Sequence, residues 1–213
     1  MDPNSNIFIS KVFIIALVLL STAFHEMAHA FSATYFGDPT PGRNGRLTLN
    51  PIPHLQPVFT AVILPVLMFL TSGVLLGLAT TPIDPSRFRR PLRDHALVAL
   101  AGPVTNIVCA AVLIGILWIP GVWQTYGPVT VTMYALEWSA FMNLILAVFN
   151  LMPLPPLDGY WILRSVLPLE LRMQTDGFAR SPFSFILVLV VGGQIISYFI
   201  PPLQHLLGLL LPA

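Results

Sequence analysis

The chain has 213 residues, 55% of them hydrophobic and only 9% charged, with a mean hydropathy of +0.80. Soluble domains carry about 25% charged residues, so this composition cannot cover a water-facing surface, and the class it implies is an integral membrane protein. A net charge of +1 without a basic block excludes nucleic acid as a partner, and the single Cys109 excludes a disulfide framework or a cysteine-based metal knuckle.

The first apolar stretch, from about Ile7 to Phe36, holds no Pro or Gly and is predicted as one helix ended by Gly37 and Pro39. Lys11 ahead of Val12 to Leu20 also imitates a cleavable signal, but cleavage near Ala23 or Ala30 would discard or split the most distinctive motif in the chain. Residues 37–56 are polar. Within them Arg43-Asn44-Gly45-Arg46 reads as a turn and Leu47-Thr48-Leu49 as a strand, which predicts a short β-hairpin near 43–50. The second stretch, Pro57 to Ala79, is interrupted by Pro65, Thr71-Ser72-Gly73 and Gly77. An arginine-rich segment, 80–94, precedes a third stretch from about His95 to Ile119. The fourth runs from about Val129 to Met152 and is stopped by Pro153, Pro155 and Pro156. Residues 157–168 predict a short helix and 169–182 a polar loop. The fifth stretch, Pro182 to about Ile200, is broken by Pro201-Pro202. With no repeat and no long polar tract, 1–213 reads as a single membrane-embedded domain.

His25-Glu26-Met27-Ala28-His29 lies on the first predicted helix. Spacing of i, i+4 puts both imidazoles on one face, where two Zn–N bonds of about 2.0–2.1 Å can meet at one ion. Glu26 can reach a water at that ion as general base. Three ionisable side chains in an apolar helix need a common reason, because each costs about 2.5–3.5 kcal/mol in lipid. A catalytic zinc wants a third protein ligand. Asp158 is the candidate: three prolines upstream hold its segment extended and keep it out of a helix, and Gly159 relieves crowding beside it. An N-cap for the following helix is the other role open to this aspartate.

His25-Glu26-x-x-His29, Asn150 with Leu157-Asp158-Gly159, and Ala101-Gly102-Pro103-x-x-Asn106 between them resemble the ordered signatures of the site-2 protease family of intramembrane zinc proteases. The resemblance spans roughly 21–166. It implies one zinc per chain held by His25, His29 and Asp158, and water activation by Glu26. It also implies a substrate-holding or carbonyl-polarising role for Asn150 and close helix packing at Gly102-Pro103 and Asn106. Asn50-Pro51-Ile52-Pro53-His54-Leu55-Gln56-Pro57 resembles a loop of a compact branch of that family, which usually has Asp where this chain has Gln56. That departure leaves His54 as a gating or substrate-contact candidate rather than an acid–base group. The chain resembles the compact branch also in carrying no leading extra helix, PDZ domain or CBS domain.

A shared zinc constrains topology. The first stretch ends, the third begins and the fourth ends on one side, so the second must dip in and return. The expectation is an all-α polytopic membrane protein with about four full transmembrane helices plus one re-entrant apolar hairpin, 57–80. Nine arginines, Arg43, Arg46, Arg87, Arg89, Arg90, Arg93, Arg164, Arg172 and Arg180, then share that side against Lys11 on the other. By the positive-inside rule the shared side is cytoplasmic and the N-terminus external. The expected activity is hydrolysis of peptide bonds in or near transmembrane segments of single-pass membrane proteins, within the lipid bilayer. Substrate identity and oligomeric state stay open. Rival readings are another membrane HExxH peptidase, which needs a downstream Glu in a setting that Glu137 and Glu170 lack, and a metal transporter, which needs intramembrane acids absent from the third and fifth stretches.

Overall fold

The computed structural model describes residues 3–48, 50–54, 58, 62–63, 66, 81–119, 131–179 and 181–212. The Pro- and Gly-free run folds as one helix from Asn4 onward, with Pro3 at its first position: α1, Pro3–Tyr35. Ile14, Val18, Ser21, His25 and His29 recur at three- and four-residue spacing, so one inward stripe passes from apolar to ionisable along the helix. Short helices follow at Thr40–Arg43 (α2) and Pro51–His54 (α3). Beyond them come α4, Pro91–Leu117, and α5, Val131–Asn150. By length and composition α1 (over Phe8–Tyr35), α4 and α5 can each cross a membrane. The expected re-entrant hairpin, 57–80, falls outside the described residues.

Helix α5 is the central one, with 56% of its span buried. Its Asn143 is fully enclosed and donates to Ser21 Oγ of α1 at 3.1 Å and to the Ser139 carbonyl at 2.8 Å. Lipid gives no hydrophobic drive between helices, so such interhelical bonds and close packing set the rotation of α1. Ile14 and Val18 of α1, Leu113 and Leu117 of α4, and Met133 and Leu136 of α5 pack into an apolar cluster at one end of the bundle. The end of α1, the start of α4 and the end of α5 meet at the other. There Asp38, fully buried, accepts from the backbone N–H of Thr40 (2.9 Å) and of Asp84 (2.7 Å), pinning the segment after α1 to the segment before α4.

The chain then folds as α6, Asp158–Val166, and α7, Leu169–Ala179, so the polar loop expected over 169–182 is mostly helix. The reason is tertiary: Asp176 of α7 takes a two-point ion pair from Arg164 of α6 (both 2.6 Å) and the Tyr160 hydroxyl (2.8 Å). The last helical run is unbroken through α8 (Pro182–Leu187), a π-helical turn (Val188–Gly192) and α9 (Gly193–Leu210). Pro201-Pro202 therefore does not break it, contrary to the sequence expectation. Each proline removes one donor, whereas opening the helix would strand a whole turn of backbone in hydrocarbon. Trp118 at the far end of α4 donates to the Leu210 carbonyl at 2.8 Å, so this run ends at the apolar end of the bundle.

Two further expectations are corrected. No strand occurs among the described residues of 43–50. The segment winds into α2 and turns at Gly45 (φ +68), with Arg46 N–H bonded to the Pro41 carbonyl, and among the described residues Leu47-Thr48 has no strand to pair with. Residues 151–157 are a series of turns rather than an extended strap, with Leu154 N–H bonded to Met152 O and Leu157 N–H to Leu154 O. Gly159 makes this fold-back possible: a Cβ there would stand 2.2 Å from the Leu151 carbonyl oxygen and 2.4 Å from that of Met152. Gly159→Ala should therefore lower the unfolding midpoint of the solubilised protein, by the about 1–3 kcal/mol of an overpacked site. Gly177→Ala, with nothing within 4 Å, should not, and equal midpoints for the two variants would refute this reading of the turn.

Candidate metal centre

The stripe of α1 delivers His25, Glu26 and His29 inward, 6%, 4% and 6% exposed. Asp158 is the first residue of α6, preceded by Leu157 at the cap position, and it makes no capping bond, so the N-cap role is not the one it plays. His29 Nδ1 lies 2.8 Å from the Val98 carbonyl of α4. A carbonyl only accepts, so Nδ1 carries the proton and Nε2 presents its lone pair. That lone pair faces His25 Nε2 at 3.0 Å and Asp158 Oδ1 at 3.4 Å, while His25 Nε2 lies 3.3 Å from Asp158 Oδ2. One ligand atom from each residue falls within 4.8 Å of the others.

These separations suit a metal. Ligand atoms at 2.0–2.1 Å around a tetrahedral zinc stand about 3.3 Å apart. A proton could bridge only one of the three contacts at a time, whereas a divalent cation satisfies all three. Asp158 Oδ2 is buried without a hydrogen-bond partner, as an atom reserved for a cation would be. A carboxylate that serves as a metal ligand does so in its ionised form.

Close approach of α4 completes the pocket. A Cβ on Gly102 would lie 2.5 Å from both imidazole Nε2 atoms, so only glycine lets α4 pass behind the histidines. Pro103 cannot donate to the Ala99 carbonyl, which frees that acceptor beside the cavity. The cavity itself, about 200 Å³, also receives Glu26, Asn106, Asn150 and Thr81. Asn106 is 1% exposed with Oδ1 unpartnered. His54 does not reach this cavity: it is 1% exposed and its Nε2 bonds the Thr48 carbonyl at 2.9 Å. Gln56 lies outside the described residues. Thr81 went unnoticed in the sequence, yet its Oγ lies 2.7 Å from Glu26 Oε2 and 3.0 Å from the Glu26 carbonyl. A single hydroxyl proton between a carboxylate and an amide carbonyl goes to the charged, nearer oxygen. A lone threonine in a polar linker carries no spacing signal, so nothing in the sequence marked it.

The chain matches peptidase family M50 over residues 12–191. The chain belongs to this family. YwhC of Bacillus subtilis, named as a candidate zinc metalloprotease, is 35% identical over 186 residues, covering 84% of this chain and 80% of the relative. Rip2 of Mycolicibacterium smegmatis, named likewise, is 30% identical over 196 residues, covering 88% and 70%. MJ0611 of Methanocaldococcus jannaschii, also so named, is 29% identical over 164 residues, covering 76% and 74%. No solved structure gives a significant match. The M50 chain is a zinc-dependent metalloendopeptidase of the multi-pass membrane, site-2 type, acting among membrane proteins and lipid. Purified M50 chain should carry one zinc, and Gly102→Ala should weaken zinc binding by about tenfold or more. Gly115→Ala on the same helix, with nothing within 4 Å, is the comparison; equal metal content in the two variants would remove Gly102 from the centre.

Proposed function

We propose that His25, His29 and Asp158 hold the zinc and that Glu26 is the general base of a peptide-bond hydrolysis within or at the edge of the membrane. The observation that carries this reading is the convergence of two imidazole Nε2 atoms and one carboxylate, with the His29 tautomer fixed by Val98. When bound, zinc supplies a Lewis acid that polarises the scissile carbonyl and acidifies a water. Glu26 takes the proton of the attacking water and passes it to the leaving amine. The Thr81 hydroxyl holds that carboxylate at the cavity wall. Asn150, half-buried at the end of α5, and Asn106 offer amide groups to the carbonyl oxygen as charge builds on it. A helical substrate hides its carbonyls in its own hydrogen bonds, so it unwinds locally before it is cut.

Substrates on this reading are transmembrane segments of single-pass proteins, and residues 1–213 act as one membrane-embedded domain. The metal end of the bundle faces the cytoplasm, because the arginines after α1, before α4 and in α6 and α7 gather there while Lys11 stands alone on α1. The N-terminus is then external. A cysteine placed at Arg43, in a Cys109→Ala background, should react with an impermeant thiol reagent only after the cell is opened; labelling of intact cells would reverse the orientation.

Glu26→Gln should keep its zinc and lose cleavage of a membrane substrate by about 10²-fold or more, the usual scale for a positioned base. Asp158→Ala should lose the zinc itself. Thr81→Val should lower kcat with KM and zinc content near wild type, and Thr81→Ser should restore it. Residual wild-type turnover in Glu26→Gln would refute the mechanism.

A further inference from the structure

A second cavity, of about 520 Å³, adjoins the metal cavity, and Thr81, Ile83, His95 and Trp161 face both. Trp161 stands one turn after Asp158 and His95 one turn before Val98, so the shared wall is set directly beside the metal-facing residues. The two rings stack at 4.5 Å with planes 32° apart, and His95 is 8% exposed. Besides its ionisable groups the metal cavity is walled by apolar Val98, Ala99, Leu146 and Leu157 and by polar Thr22, Asn106 and Asn150. Beyond the shared wall the second adds Asp84, Ser86, Arg164 and Asp176 to apolar Pro85 and Ala179.

Those polar walls are fixed in place. Arg164 is forked onto Asp176, and Asp84 accepts from Ser86 N–H (3.1 Å), Ser86 Oγ (2.6 Å) and Arg87 Nε (2.8 Å). Paired in this way, they present oriented dipoles rather than net charge. Groups held in this way offer hydrogen bonds to the amides and hydroxyls of a peptide segment. The volume falls in the range of sites that hold a short ligand segment.

We infer that the second cavity binds the polar flank of the substrate, as an extended peptide segment, while the adjoining apolar residues lie in the metal cavity. A transmembrane substrate changes from apolar to polar once, at the membrane boundary, and the fixed polar groups of the second cavity offer partners to the polar side of that change. The enzyme then selects its bond by position relative to that junction rather than by a fixed sequence. This inference rests on the protease reading above.

Photocrosslinking tests it without requiring turnover. A p-benzoylphenylalanine is placed at Ala179, which lines the second cavity, in one protein and at Ser86 in another. The comparison position is Val112, 56% exposed on α4. Each full-length protein is first checked for wild-type zinc content. The probe is a synthetic peptide of about 20 Leu and Ala residues carrying a Ser/Asn/Gln tail, with a second version whose tail is Leu. Adducts at Ala179 and Ser86 should map to the polar tail and exceed those at Val112 about tenfold, and the Leu tail should bring them to the Val112 level. Adducts on the apolar segment, equal capture of both tails, or no excess over Val112 overturns the inference. Capture of the polar tail with the peptide left uncut retains this inference and refutes hydrolysis; cleavage without tail capture does the reverse.

Discussion

Three electron-rich atoms aimed at one point govern this structure. His25 Nε2 and His29 Nε2 stand 3.0 Å apart, with the Asp158 carboxylate across from both. Two lone pairs at that distance repel unless a cation or a proton lies between them, and the Val98 carbonyl fixes the only proton His29 needs on its other nitrogen. The fold therefore holds an arrangement that its own side chains cannot fully satisfy. Metal binding and completion of the fold become parts of one free-energy change.

Each element near the centre can be traced to that demand. Asn143 sets the rotation of α1 through Ser21, one turn before His25. Gly102 removes the one Cβ that would collide with both imidazoles, and Gly159 lets the turn after α5 fold back so that α6 begins at Asp158. Glu26 is held from outside the bundle, by Thr81. The segment bearing Thr81 is itself anchored where Asp38 accepts from Asp84 N–H. The hydroxyl that holds the proposed general base thus depends on a second buried carboxylate, in the connection after α1.

The legible parts of the site were those with a periodic or conformational signature. His25, Glu26 and His29 announce themselves by helical spacing in an apolar run, and Asp158 by the prolines before it and the glycine after it. Gly102 was legible as a close-packing residue, and the structure gives the reason in atoms. Thr81 was not, because its partner lies 55 positions away and its surroundings are ordinary linker. The helix α7 was missed because its composition is polar and what orders it is Arg164 on another element. Pro201-Pro202 misled because the rule that proline ends helices is calibrated in water, where the freed backbone has an alternative partner. His54 has the look of a functional histidine and lies in a conspicuous proline-rich loop, yet burial against the Thr48 carbonyl takes it away from the cavity.

Depth joins the metal centre to its surroundings. His29 and His25 lie six and ten positions before the end of α1 at Tyr35, so at 1.5 Å per residue they stand roughly 9–15 Å below that end. With the end of α1 at the membrane boundary, as the proposed orientation has it, that is between the boundary and the midplane of a hydrocarbon core about 30 Å thick. The proposed hydrolysis at that depth needs water and a polar path, and three buried ionisable side chains on α1 need one too. The turns at 151–157, the start of α4 and the Thr81 segment supply irregular backbone and polar side chains there, where backbone of this kind is tolerated only if enclosed in protein or wetted. The apolar cluster of Ile14, Val18, Leu113 and Leu117 closes the opposite end. Among the described residues the bundle is thus asymmetric along its axis, apolar at one end and polar at the other, and on the proposed reading water reaches His25, His29 and Asp158 from one leaflet.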